Sequence, residues 1–200
     1  MARVSKAEKK RSNKKIVYEA ARLIRENGIE STSVIQVMSA AGLTHGGFYR
    51  HFGSKDDLIC AAIEKAFGEI ASRLEREIKE LGSEQAIKSY IEYYLSGQHV
   101  HMRGKGCPMA ALGAEIGQGP KAYKEAFNQG TEHVADLISQ AFGSNAKKAQ
   151  AKVIGLLAVL VGTMVMARSC ESTAMVTEVL EAGLLSANTI ISSNIEFSAV

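Results

Sequence analysis

Helical periodicity along almost the whole chain, two prolines confined to one stretch, and scarce strand-type alternation predict an all-α protein. Ile16, Ala20, Leu23 and Ile24 form one helical stripe, which stops at Asn27-Gly28. Ser33 is placed to cap a short helix carrying Val34, Val37 and Met38, which ends at Ala41-Gly42. Thr44 opens a third helix with Phe48 facing inward. Ser54 followed by Lys55-Asp56-Asp57 puts a cap and two carboxylates at the start of a long helix, to about Leu81. Gly82-Ser83 breaks it and Glu84 to Leu95 forms the next. A Gly-rich stretch (Gly97, Gly104, Gly106) follows, then helices over 107–116, 120–142, 146–169 and 172–192.

The 200 residues are 46% hydrophobic and 22% charged, enough to bury a core, which excludes a disordered chain. Three scattered cysteines, Cys60, Cys107 and Cys170, exclude a disulfide scaffold. The basic opening is followed by no apolar stretch of signal-peptide length. The longest apolar run, Val153 to Ala167, has 15 residues, short of the ~20 that a span needs. The expectation is a cytoplasmic protein with no membrane partner.

The charge is unevenly spread. Residues 1–55 hold 11 Lys/Arg against 4 Asp/Glu, whereas the whole chain is only +3. A basic end on a mildly acidic body points to a polyanionic partner, although residues 3–15 alone read as a solvated tail. Ser33 to Phe52, SVIQVMSAAGLTHGGFYRHF, sharpens this. It reads as helix, glycine turn and second helix, the requirement of a helix-turn-helix that places one helix in a major groove. Thr44, His45, Tyr49, Arg50 and His51 supply polar groups there. Gly46-Gly47 costs ~1 kcal/mol of helix propensity per residue, which close approach to DNA would justify.

The stretch GLTHGGFYRHFGSKDDL, preceded by IVYEAARLIRENGIESTSV, resembles the N-terminal domain of TetR/AcrR-type transcriptional regulators, closely over about residues 14–67. The resemblance implies a helix-turn-helix domain at 1–56 (motif 33–52), joined by a long helix to a dimerising, effector-binding helical domain at 57–200. It implies that His45 and Gly46 approach base edges and that Thr44, Tyr49 and Lys55 touch phosphate. Lys55 also begins a helix, where anions are attracted. Thr32 and Ser33 can cap the second helix and offer hydroxyls to the DNA backbone, while His51 reads as a satisfied internal polar residue. The implied partner is double-stranded DNA with a palindromic operator, bound as a homodimer and released by an unknown small-molecule effector.

The last two helices, about 146–192, are the expected dimer surface. Ala151, Gly155, Ala158 and Gly162 make a smooth stripe, continued by Met175, Val176, Val179, Leu180, Gly183 and Leu184. The effector-pocket candidates are His99, Met102, Cys107, Met109, Glu115, Tyr123, Phe127 and Met164, with His101 and Met166 as weaker ones. His99-x-His101 with Cys107 fits none of the strong zinc spacings, so neither metal nor cofactor is expected. Cys107 reads first as a small buried residue; its place at a helix start near Arg103 and Lys105 also allows a thiol of lowered pKa and hence a redox or electrophile sensor. A helical enzyme using Cys107 with His99 or His101 is the other alternative.

Overall fold

The computed structural model describes residues 6–140 and 146–193, and among these every regular element is a helix. In order they are α1 (Lys6–Asn27), α2 (Val34–Ala40), a 3-10 helix (His45–Arg50), α3 (Lys55–Leu81), α4 (Ser83–Tyr94), α5 (Gly97–His101), a 3-10 turn (Arg103–Lys105), α6 (Pro108–Gln118), α7 (Lys121–Ser139), α8 (Ala146–Ser169) and α9 (Thr173–Ser192). The all-α expectation holds. The predicted end of the seventh helix at 142 lies outside the described residues.

Two elements differ from the sequence reading. The expected third helix is a 3-10 helix, as suits a six-residue segment with Gly-Gly at its second and third positions. The Gly-rich stretch contains the short α5, because the Ser96 side chain accepts the His99 N–H and starts a turn.

Helix α3 organises the molecule. Its stripe of Leu58, Ile59, Ala62, Ile63, Ala66, Phe67, Ala71 and Leu74 is buried, packing along α1 near its start and along α7 further on. One continuous core therefore runs from Ile16, Ile24 and Phe48 to Ile91, Leu112, Ile138 and Leu160. The predicted boundary at 56/57 falls inside this helix.

Helix α8 buries Ala149, Val153, Leu156, Leu157, Leu160, Met164 and Ala167, a single face. Helix α9 rests on it through Gly183 and Ala187. A Cβ at Gly183 would lie 2.4 Å from the Thr163 side chain, so the close approach requires glycine. This corrects the sequence reading: Gly183 serves contact within the protomer. Segments Ala149–Ser169 and Thr173–Ser192 are also long and apolar enough to cross a membrane by length and composition. The first of these contains the 15-residue run together with Lys152 and Arg168, the two charges that bound it.

Candidate nucleic-acid interface and its coupling to the helical domain

The helix-turn-helix is built by local chemistry. Ser33 Oγ accepts the Gln36 N–H, and Gln36 Oε1 accepts the Ser33 N–H in return, a reciprocal capping box. At the other end of α2 the Leu43 N–H reaches the Met38 carbonyl and the Gly42 N–H reaches that of Ser39. This Schellman arrangement needs a left-handed residue, and Gly42 has φ +71°. The chain turns sharply and delivers the 3-10 helix, which is pinned by Phe48. Phe48 is buried, with Tyr49 against its edge at 5.2 Å and Phe52 stacked at 5.9 Å.

That arrangement leaves Thr44, His45, Gly46, Tyr49 and Arg50 exposed on one short element, Tyr49 at 73%. A Cβ at Gly46 would meet nothing within 4 Å, so nothing inside the chain demands glycine there. Ser33 is exposed beside its cap. Thr44 occupies the N-cap position, but its side chain makes no capping bond. Thr32 departs from the reading: it is buried and its hydroxyl donates to the Gly28 carbonyl at 2.7 Å, so it offers nothing to a phosphate. Lys55 is half-buried, and its Nζ donates to the Ile29 carbonyl at 3.3 Å, which ties the start of α3 to the loop before α2. His51 is also half-buried, but its enclosed Nδ1 has no hydrogen-bond partner, so it is not the satisfied residue expected. Burial and the neighbouring Lys9 and Arg50 lower its pKa.

One contribution escaped the sequence reading. Helix α1 begins at Lys6, so Lys10, Arg11, Lys14 and Lys15 stand on ordered helix rather than in a solvated tail. With Tyr18, Ala40 and Ala41 they line an open groove of about 720 Å3 between the start of α1 and the end of α2. The i, i+4 spacing of 10 with 14 and of 11 with 15 was the available signal.

The expected effector residues do not line one cavity. His99 and Cys107 share the wall of a small, partly open cavity of about 70 Å3. Glu115 and Tyr123 line a crevice of about 360 Å3 against the loop holding Ile29 and Glu30. Met109 and Met164 are packed in the core, and Phe127 stands edge-on to Phe67 at 5.3 Å. Met102, half-buried, provides the residue between α5 and the 3-10 turn. His101 and Met166 are exposed.

His99 is a structural histidine. Its Nδ1 lies 2.7 Å from the Tyr94 carbonyl, which can only accept, and its Nε2 lies 3.1 Å from the Cys107 N–H, which can only donate. These partners fix the neutral Nδ1–H form and occupy the lone pair that a base acting on Cys107 would need. Burial, with Arg168 and Arg73 nearby, lowers its pKa from 6.5 to about 4. The unfolded chain therefore binds the extra proton between these values. Stability present above pH 6.5 falls away as the pH drops towards 4, by about 3 kcal/mol from this group. Denaturation midpoints from pH 7 to 4 are expected to show that slope, and His99→Gln is expected to flatten it. An unchanged slope would refute the assignment.

Of the two readings of Cys107, the structure agrees with the buried residue. It is buried at the N-cap of α6, and burial raises its thiol pKa, outweighing the Tyr94 hydroxyl, backbone N–H groups and Arg168 that lower it. The lowered pKa expected of a sensor thiol is therefore not found.

Glu115 and Tyr123 join the two halves of the molecule. Glu115 Oε2 accepts the N–H groups of Ile29 at 2.8 Å and Glu30 at 3.3 Å, satisfying the loop that leads into α2. Gly28, with φ +89°, both ends α1 and makes room: a Cβ there would lie 2.6 Å from Glu115 Oε1. The Tyr123 hydroxyl donates to Asp56 Oδ1 at 2.6 Å, holding α7 to the first turn of α3. Behind them Arg25, buried in α1, donates to Glu69 at 2.8 Å and to the Gly106 carbonyl at 3.1 Å. Glu115→Ala is expected to cost ~1.5–3 kcal/mol, the range for hydrogen bonds to a charged group. It is also expected to speed amide exchange at Ile29 and Glu30 at least tenfold, and unchanged exchange would sink the clamp.

An exposed polar cluster at the end of a helix-turn-helix, carried on a bridging helix beneath a second helical domain, defines the class of protein. Residues 16–62 match the family described as "Bacterial regulatory proteins, tetR family". The AcrR HTH-type transcriptional regulator of Shigella flexneri is 38% identical over 88 residues, 44% of this chain and 37% of that protein. An uncharacterized HTH-type transcriptional regulator of Mycobacterium tuberculosis is 29% identical over 128 residues, 64% of this chain and 60% of the relative. Among solved structures, E. coli NemR in its reduced form superposes with TM-score 0.72 at 21% identity, covering 90% of this chain and 97% of that one. A TetR-family regulator from Agrobacterium tumefaciens gives 0.72 at 20% identity, covering 88% and 97%. Residues 16–62 are a tetR-family DNA-binding segment, and the chain has the fold of TetR-family regulators, an N-terminal helix-turn-helix domain followed by a C-terminal helical domain. The match spans about 60% or less of the lengths of these two curated relatives.

Proposed function

We propose that the chain is a cytoplasmic, sequence-specific DNA-binding transcriptional regulator: a homodimeric repressor that a small-molecule effector releases from a palindromic operator. The observation that carries this reading is the 3-10 helix with its N-cap, where Thr44, His45, Gly46, Tyr49 and Arg50 are exposed together on one short element. Gly46 in particular has open space around it, so its bare backbone is explained by something outside the chain. His45 and Gly46 approach base edges. Thr44, Ser33, Tyr49 and Lys55 position the backbone, and the α1 cations extend the phosphate contacts.

A single helix-turn-helix reads too little sequence, so two recognition elements ~34–36 Å apart on a dyad are needed. The exposed face of α8 and α9 supports that pairing. Ile154, Val165, Met166, Met175 and Leu185 are each at least 45% exposed, and the small residues Gly155, Ala158 and Gly162 lie among them. Release requires only that an effector bind one conformation better than the other. The Glu115 and Tyr123 contacts are where a movement of α6 and α7 would reach the loop before α2 and the start of α3.

Selection from a random DNA pool by the purified protein at near-physiological salt tests the reading. A palindrome is expected. His45→Ala is expected to change the preferred sequence, whereas Lys55→Ala weakens all sequences similarly and flattens the salt slope. Gly46→Ala is expected to keep the fold but lose operator affinity. A folded dimer that enriches no sequence, or variants that bind like the parent, would overturn the proposal.

A further inference from the structure

The crevice where α1, α6 and α8 meet holds more positive charge than its own carboxylates neutralise. It encloses about 300 Å3 and is lined by Arg25, Glu26, Gly28, Arg103, Glu115 and Arg168, among others. Three of its charged groups have partners within the chain. Arg25 is paired with Glu69, Glu26 with Arg22 at 2.6 Å, and Glu115 holds two backbone N–H groups. Arg103 and Arg168 form no ion pair among the described residues.

Both are held in place by carbonyl oxygens alone. Arg168 donates to His99 at 2.9 Å and Val100 at 3.3 Å, and Arg103 donates to the Arg168 carbonyl at 3.3 Å. Those carbonyls anchor the two arginines, which line the same crevice, but bring only dipole ends, not a full counter-charge. Arg168 is half-buried, where an uncompensated charge is unfavourable. Burial and repulsion from Arg103 both lower its pKa. A guanidinium carries five N–H donors, so each keeps several for a further acceptor.

We propose that this crevice binds a small anion, its phosphate or carboxylate group held between Arg103 and Arg168. Two planar guanidinium groups fixed by backbone suit an oxyanion that accepts in pairs. Glu26 and Glu115, which line the same crevice, disfavour a second anionic group away from the two arginines. The ligand therefore carries its charge at one end. The volume, at the small end of ligand sites, admits inorganic phosphate or a short organic acid. Linkage to DNA rests on the regulator reading, because Gly28 and Glu115 belong to both the crevice and the clamp. Anion binding itself does not.

Thermal unfolding of the full chain is followed while inorganic phosphate, butyrate or chloride is added at constant ionic strength. A saturable rise with phosphate or with butyrate, absent with chloride, is expected, and whichever saturates names the head group. Arg103→Gln, an exposed position with a single hydrogen bond, is expected to keep the fold and weaken binding at least tenfold. Lys105→Gln, which removes a charge two residues away, is expected to leave affinity unchanged. No saturable response beyond chloride overturns the site. So does equal affinity in Arg103→Gln and the parent, or equal loss in Lys105→Gln. Sequence-selective DNA binding, measured separately without added anion, shows whether the regulator reading stands when the site fails.

Discussion

Phe48→Ala is expected to lower the unfolding free energy by about 3–5 kcal/mol, the usual cost of emptying a phenylalanine site in a core. It is also expected to abolish operator binding at temperatures where the chain is still folded. Phe48 is 2% exposed and is the only buried side chain of the 3-10 helix. Of the five other residues there, two are glycines and only Arg50 has a strong helical preference of its own. Without the ring, Tyr49 and Phe52 lose their shared stacking partner, and Thr44 to Tyr49 lose their fixed position. Phe48→Leu, which refills most of the volume, should recover most of the stability. Recovery of stability without affinity would show that aromatic packing sets the angle of the element. Full operator affinity in Phe48→Ala would mean that the 3-10 helix is not the reading element.

The helical outline was legible because its signals are local. Ser33, Gly42 and Ser54 mark their boundaries through bonds within six residues, and the α3 stripe follows from spacing alone. The exposed cluster from Thr44 to Tyr49 was legible through its resemblance to a family. What failed depends on burial or on partners distant in sequence. Thr32 looked like a cap, but its hydroxyl turns to the Gly28 carbonyl and the core covers it. Cys107 had two readings, a buried residue or a thiol activated by neighbouring cations; burial decides its pKa, and burial depends on α4 and α5 packing around it. Glu115 and Tyr123 read as pocket residues because they are polar groups near helix starts. Their partners, Ile29, Glu30 and Asp56, lie 67 to 86 positions away, and no local pattern names them.

Leu185→Glu is expected to convert the proposed dimer to a monomer and to reduce operator affinity at least a hundredfold, with little change in the stability of the single chain. The last clause makes it decisive. Leu185 is 71% exposed, so a carboxylate there leaves no cavity and buries no charge within one chain. In a dimer through α8 and α9 the same side chain would meet its symmetry copy or that copy's neighbours across a dyad, where a buried unpaired charge costs several kcal/mol. Each protomer still presents its recognition element, but one half-site contact replaces two, and the second no longer binds at high effective concentration. Sedimentation and circular dichroism read the two halves of the prediction separately. Monomer mass with native helicity and lost affinity is the expected result. A dimer that survives Leu185→Glu would move the interface off α9, and a chain that unfolds would mean that Leu185 belongs to the protomer's own core.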